Sequence, residues 1–409
     1  MKLLFVHERI GALGGAEVNV LATAGELRQR GHTLAFAHGP GPDSVEWSGM
    51  FAERYPLAAD EPTAGAALSR ALARFDPDVA FLHKFSDPGV LDALAESGVP
   101  VVRMVHDHDL CCMRGYKYGY FNRRICRRAL SPYCIFPCGA CLARGGSGAR
   151  LPLRWVSYRA KRREIEVNKH FHRLVVATDY MRGELLRNGF DADRIEIHPP
   201  VPRAGVPAAT PSFSDRNLIV YAGQVIRGKG VDVLLEALAR VAAPFECVIL
   251  GDGSHRAACE RLSQRLGLSD RVRFEGFVPQ ARVADYYRDA SLAVMSSVWP
   301  EPFGATGLEA MRCGLPVVAF DAGGIREWLL DGTNGYLAPW MDRAAFAARV
   351  ETLLRDKALA AELGANGRQI ADERFNFGRY VTGLEDLFAR VAAGRTAPAR
   401  PGEPQEAIR

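Results

Sequence analysis

The sequence predicts an α/β protein of two Rossmann-like domains facing each other across a cleft. Three observations carry that expectation. The chain opens with a short apolar strand, a glycine-rich loop and an amphipathic helix, in that order. The same order restarts near residue 217, after a stretch from about Pro199 to Asp215 crowded with Pro, Ala and Ser. With 409 residues, 48% of them hydrophobic and 24% charged, the chain is long enough for two cores and has the composition of a folded protein. The boundaries that follow are 1–198 for the first domain, 199–215 for a linker and 216–392 for the second domain. A tail, 393–409, lacks apolar periodicity and is expected to be disordered.

"KLLFV" reads as a buried strand, Gly11, Gly14 and Gly15 punctuate the loop after it, and "AEVNVLATAGELRQRG" reads as a helix stopped at Gly31. "HTLAFAHG", "DVAFLH" and "VPVVRMVH" supply further strands, with helical "DPGVLDALAES" between them. In the second domain "NLIVYAG", "FECVILGDG", "RVRFEGF", "SLAVMSS" and "LPVVAFDAGG" alternate with helical stretches such as "VDVLLEALARVA" and "HRAACERLSQRLG". Such alternation builds parallel sheets, whose ligands collect beyond the carboxyl ends of the strands. The cleft between the domains is therefore the expected site.

Charge is unevenly spread. The formal net charge is +5, yet residues 111–173 alone carry +13, which leaves −8 for the rest. That field favours an anionic partner. The apolar run of "MKLLFVHERIG" is cut off by His7, Glu8 and Arg9, too short for a signal-peptide core or a membrane span. The expectation is a cytoplasmic protein, peripheral at the inner face of a membrane.

The stretch "EPFGATGLEA" places Glu301 and Glu309 eight positions apart. Pro300 and Pro302 keep Glu301 in an extended loop, and a helix starting around Gly304 to Thr306 puts Glu309 in its opening turns. Both acids can then face one mouth. The free amides and positive dipole end around Gly304, Ala305 and Thr306 suit a phosphate, whereas ionised acids suit hydroxyl groups. Phosphate flanked by hydroxyls describes a sugar nucleotide. A second loop, "YAGQVIRGKGVD", adds the charges of Arg227 and Lys229 between glycines at 223, 228 and 230. It does not have the Walker A order, and "GALGGAE" does not have the dinucleotide fingerprint.

At these residues the sequence resembles family 4 of the retaining glycosyltransferases, which have the two-domain GT-B fold. The resemblance spans most of residues 1–390 and rests on "GALGGAE", "MVHDHD", "GQVIRGKG", the "GDG" turn, "GFVP", "EPFGATGLE", "DAGGIRE" and "DGTNGYL" taken in order. It implies that Gly14 and Gly15 approach the donor diphosphate, that Lys229 binds it and that Glu309 holds the ribose hydroxyls. It also implies that Glu301 touches the transferred sugar, that His106 lies near the reacting centre and that backbone around Val278 meets the base. The family usually has arginine where this chain has Gln224, with Arg227 the nearest compensation.

Charge develops on the departing diphosphate, so its stabilisation by Lys229, Arg227 and the helix start is expected to dominate catalysis, without a divalent metal. No cofactor is required beyond a nucleotide-diphosphate sugar donor; the acceptor is a glycan or a lipid-linked molecule. Rival readings are a nucleotide-sugar epimerase of the same plan, a catalytically idle sugar-nucleotide sensor, and a zinc-stapled, basic nucleic-acid binder. The last fits poorly with the net acidity outside 111–173, so no nucleic-acid partner is expected.

Cys111, Cys112, Cys126, Cys134, Cys138 and Cys141 crowd into one Cys-rich basic insertion at about 110–150. Structural zinc on Cys126, Cys134, Cys138 and Cys141, with Cys111 or Cys112 as substitutes, is one reading; reduced or redox-active thiols and disulfides are the others. The stretch "LPLRWVSYRAKRREIEVNKHFHR" reads as a basic amphipathic helix that lies on an anionic membrane, clamps an anionic acceptor or forms a solvated face.

Overall fold

Leu3, Leu4, Phe5 and Val6 are all completely buried. A strand buried on both faces needs cover on both sides, and the helical crossovers between parallel strands supply it. The computed structural model describes residues 1–394 apart from 12–13, 43, 58–62, 120–121, 145–152, 203–210 and 214–215. Within it the first lobe contains β1 (Lys2–His7), β2 (Thr33–His38), β3 (Glu53–Pro56), β4 (Val79–Leu82) and β5 (Val101–Val105). After a hairpin of β6 (Leu142–Arg144) and β7 (Leu153–Trp155) come β8 (Arg173–Val176) and β9 (Ile195–Ile197). The seven-stranded sheet runs β3-β2-β1-β4-β5-β8-β9 and is parallel throughout.

The second lobe repeats the plan with β10 (Leu218–Ala222), β11 (Glu246–Leu250), β12 (Val272–Gly276), β13 (Leu292–Met295), β14 (Val317–Phe320) and β15 (Gly335–Ala338). These order as β12-β11-β10-β13-β14-β15, again parallel. Strand order reverses between β1 and β4 and between β10 and β13. Loops leaving neighbouring strands there part to opposite sides and open a crevice at the carboxyl edge.

The helix Phe377–Ala393, grouped with 216–392 by the sequence reading, returns to the first lobe. Tyr380, Val381, Leu384, Leu387, Phe388 and Val391 form its buried stripe at helical spacing. Phe388 meets Phe81 of β4 edge-on at 5.0 Å, Tyr380 stacks on His198 at 4.9 Å, and Glu385 pairs with Arg30 at 2.6 Å. The stripe covers first-lobe surface, which the covalent order of the chain does not reveal. Residues 395–409 of the expected tail and most of the expected linker lie outside the described residues.

Between β5 and the helix Tyr158–Lys169 the chain runs through the Cys-rich segment. Met113, Ala140 and Cys141 make its small core. Lys117 anchors it through an ion pair of 2.7 Å with Glu184, the two side chains being 2% and 0% exposed. Charges so deeply buried persist only when paired.

Candidate active site

The loop after β10 makes a single tight turn, Arg227–Lys229, capped by Gly230 in the left-handed region at φ +65°. A Cβ on Gly230 would stand 2.1 Å from the Ser296 carbonyl oxygen, so this position demands glycine. The loop after β13 is tied to it: the Ser296 hydroxyl donates to the Lys229 carbonyl (2.9 Å), and the amides of Val298 and Trp299 donate to the Gly228 carbonyl. Two loops from adjacent strands are thereby fused at the switch point.

Their side chains converge on Glu301. Lys229 Nζ lies 2.6 Å from Glu301 Oε1, Trp299 Nε1 donates to the same oxygen at 2.8 Å, and the Ser297 hydroxyl donates to it as well. Lys229 Nζ also sits 5.0 Å from the centroid of the Trp299 ring, within cation–π reach. Burial pushes the Glu301 carboxyl up, but the Lys229 charge and the three donors outweigh it and hold the group below the usual range. Glu301 is ionised, with Oε2 unpartnered among the described residues.

Glu309 lies on the helix Ala305–Arg312, which follows Gly304 at φ +89°. Its Oε1 accepts from Gln280 Nε2 at 2.9 Å. Burial pushes this carboxyl up to about 7 against the opposing Arg312 charge and Gln280 hydrogen bond. Val278, half-buried beside the exposed Phe277, follows β12 on the same sheet edge. Gln224 is exposed just after β10, where its carbonyl accepts from Tyr221. Arg227, Lys229, Glu301, Gly304, Ala305, Thr306 and Glu309 therefore all belong to the carboxyl edge of the second sheet.

The first lobe presents histidines at the carboxyl ends of β1, β4 and β5. His83 Nδ1 and His106 Nε2 lie within hydrogen-bond distance at 2.9 Å, with the rings stacked at 5.2 Å. Burial, reinforced by the charges of His7, Lys84 and Arg103, lowers His106 to about 3, so the ring is neutral at physiological pH. His106 can donate or accept a hydrogen bond there but carries no charge. His108 Nε2 lies 2.8 Å from the Pro300 carbonyl. A carbonyl only accepts, so the His108 ring carries its proton on Nε2 and fastens the first lobe to the loop that bears Glu301. Thr178 reinforces the junction by donating to the Pro302 carbonyl at 2.7 Å. Gly14 caps the helix Gly15–Gln29, and among the described residues a Cβ on Gly15 would meet nothing within 4 Å, so no described neighbour explains that glycine.

The expected zinc set is not assembled. Among the described residues no three His, Cys, Asp or Glu side chains are arranged to hold a metal ion, and all nine cysteines are free thiols. Cys141 is buried with its Sγ 3.7 Å from the Ile135 carbonyl, while Cys112, Cys126 and Cys134 act electrostatically on Cys138. Cys111, the proposed substitute, is buried with its thiol raised to about 12 by desolvation. Cys112 stays half-buried. Cys247, Cys259 and Cys313 are buried in the second lobe, as packing residues.

Trp299, Ser297, Gln280, His83 and Thr178 were not singled out from the sequence. A tryptophan two residues before a motif glutamate was visible; the direction of its N–H was not.

Two parallel sheets that turn their carboxyl edges toward one cleft, with an acid–lysine pair on one side, define the GT-B class of glycosyltransferase folds. Residues 13–201 match Glycosyltransferase Family 4 and residues 206–370 match Glycosyl transferases group 1. The chain belongs to this family of glycosyltransferases.

A D-inositol 3-phosphate glycosyltransferase of Xylanimonas cellulosilytica is 34% identical over 250 residues, which are 55% of this chain and 58% of that protein. An alpha-D-kanosaminyltransferase of Streptomyces kanamyceticus is 32% identical over 182 residues, 44% of this chain and 47% of that protein. The chain thus spans about half the length of the curated relatives it matches. Among solved structures, Anabaena HepE in complex with UDP and glucose has a TM-score of 0.72 at 20% identity, covering 95% of this chain and 100% of the other. Sucrose-phosphate synthase from Thermosynechococcus elongatus has a TM-score of 0.70 at 19% identity, covering 96% and 99%. At such identity the likeness is one of fold.

Proposed function

We propose that the chain transfers a hexosyl group from a nucleotide-diphosphate sugar to an acceptor hydroxyl, with retention of configuration. The observation that carries this reading is Glu301, a buried, ionised acid held by Lys229 and Trp299 at a switch point, with Oε2 left for a ligand. Lys229, Arg227 and the amides around Gly304, Ala305 and Thr306 stabilise the departing diphosphate. Glu301 Oε2 accepts from a hydroxyl of the transferred sugar. Glu309 accepts from the ribose, backbone near Val278 meets the base, and Gly14 and Gly15 let the first lobe approach the diphosphate. Gln224 leaves the charge at its position to Arg227.

In the reaction the bond between sugar C1 and the β-phosphate oxygen breaks, and its electrons stay on that oxygen. The acceptor oxygen attacks C1 on the same face while its proton passes to the leaving phosphate oxygen. A neutral His106 serves as a hydrogen-bonding group beside that centre, since so depressed a ring does not store a proton. These steps need no divalent metal.

The acceptor is a glycan or a lipid-linked molecule presented at an anionic membrane face. The +13 charge of residues 111–173 and the exposure of Tyr133, Phe136 and Trp155 within it support that choice. Product analysis with UDP-, GDP-, ADP- and TDP-sugars, with and without acceptor, tests the function. Acceptor-dependent appearance of a glycoside with the donor's anomeric configuration supports it. Interconversion of the sugar without acceptor supports the epimerase, and no reaction with any donor contradicts both.

A further inference from the structure

We propose that the Cys-rich insertion of the first lobe is a working part of the donor site, with Tyr116 and Arg123 as positioning residues for Lys229 and Glu301. The proposal rests on the sugar-transfer reading, because it concerns the same site. Two contacts across the cleft carry it.

The Tyr116 ring lies 5.7 Å from the Trp299 ring. That indole both donates to Glu301 and lies within cation–π reach of Lys229. Trp299 also packs on the glycine loop, where a Cβ on Gly228 would come within 3.2 Å of it. Arg123 Nη2 reaches Asp232 Oδ2 at 2.6 Å, the side chains being only 12% and 22% exposed. Asp232 stands in the first turn of the helix Val231–Leu238, just beyond Lys229.

Tyr116 and Arg123 stand on one braced piece of chain. The amide of Cys126 donates to the Lys117 carbonyl at 2.7 Å and that of Gly119 to the Arg124 carbonyl at 2.8 Å, with an antiparallel bridge between Tyr118 and Ile125. Lys117, next to Tyr116, is the residue buried against Glu184. The piece is therefore fixed to the first lobe at one end and pressed on the second lobe at the other.

An ion pair between lobes exists only while they are closed; opening separates the charges and hydrates both. The insertion therefore favours the closed form and, through Trp299, fixes the ammonium and the carboxylate that meet the reacting centre. Orientation of this kind acts on turnover more than on donor affinity.

The test uses the full chain carrying Arg123→Ala, Arg123→Lys, Tyr116→Ala, Asp232→Ala and the Arg123→Ala/Asp232→Ala pair. Arg123→Ala is expected to lower kcat about tenfold with donor KM within about threefold of wild type. Arg123→Lys recovers most of the loss, and the double variant is no slower than Arg123→Ala alone. A second readout does not depend on sugar transfer: amide hydrogen exchange of the nucleotide-free proteins. Exchange over 224–232 and 296–301 rises in Arg123→Ala and Tyr116→Ala, while β1 and β4 stay as in wild type. Additive losses in kcat, or unchanged exchange in both loops, overturn the proposal. A wild type that transfers no sugar sinks the functional reading alone, and the exchange data then decide on the insertion.

Discussion

Lys229→Ala separates a working site from a structural ion pair. The substitution removes the ammonium 2.6 Å from Glu301 Oε1 and leaves a carboxylate that is only 3% exposed facing two neutral donors, Ser297 and Trp299. Breaking a buried pair at one end costs about 3–5 kcal/mol. The Lys229 side chain is 21% exposed, so the lower part of that range, reduced by solvent screening to about 2 kcal/mol, is expected.

The pH dependence follows in sign. Glu301 is held below its ordinary 4.5, so its contribution to stability is present above that value and lost as pH falls through the folded-state pKa. Lys229→Ala abolishes this contribution, and its melting temperature drops less on acidification than that of wild type. Adding Glu301→Ala removes the uncompensated charge and restores part of the stability. Turnover responds differently. Loss of one preorganised donor to a developing anion costs roughly 10²-fold or more, and Glu301→Ala does not restore it. Nucleotide release under saturating donor and thermal melts across pH measure the two effects. A folded Lys229→Ala protein that turns over within about threefold of wild type refutes the reasoning.

Glu309, raised to about 7 by burial, accepts from the ribose hydroxyls most strongly when ionised, because the protonated acid turns one oxygen into a donor. Donor KM should therefore rise as pH falls below about 7, and Glu309→Gln should flatten that limb of the profile; a pH-independent KM in wild type contradicts the ribose role. Gly230→Ala forces a Cβ to within 2.1 Å of the Ser296 oxygen at φ +65°. The strained backbone alone costs about 1–2 kcal/mol, and a melting temperature equal to wild type removes the steric argument. Structural zinc remains assayable by metal analysis after purification under reducing conditions. One zinc per chain shows that the cysteines close on metal, whereas no zinc together with freely titrating thiols ends that reading.

The parallel sheets were legible because buried strands leave continuous apolar runs: "NLIVYAG" becomes β10 and "SLAVMSS" contains β13. The loop position of Glu301 and the helix Ala305–Arg312 were legible too, since proline and glycine act locally on backbone geometry. What depends on which way a side chain turns was not. The convergence of Trp299, Ser297 and Lys229 on one oxygen of Glu301 requires two loops to meet at a switch point, and residue spacing carries no such information. The same holds for the His83–His106 pair, whose rings lie 23 positions apart and meet only because β4 and β5 are neighbours. An amphipathic stripe at 380–391 says that a helix covers something; only the packed structure shows that it covers the first lobe. Cysteine spacing likewise leaves the direction of each thiol open.

A nucleoside diphosphate is expected at the carboxyl edge of the second sheet, with its charge on Lys229. Calorimetric titration of UDP, GDP, ADP and TDP into wild type and Lys229→Ala tests it most directly. At least one of the four is expected to bind wild type, and Lys229→Ala to weaken that binding about tenfold or more. Equal affinity in the two proteins, or no heat from any of the four nucleotides, contradicts it.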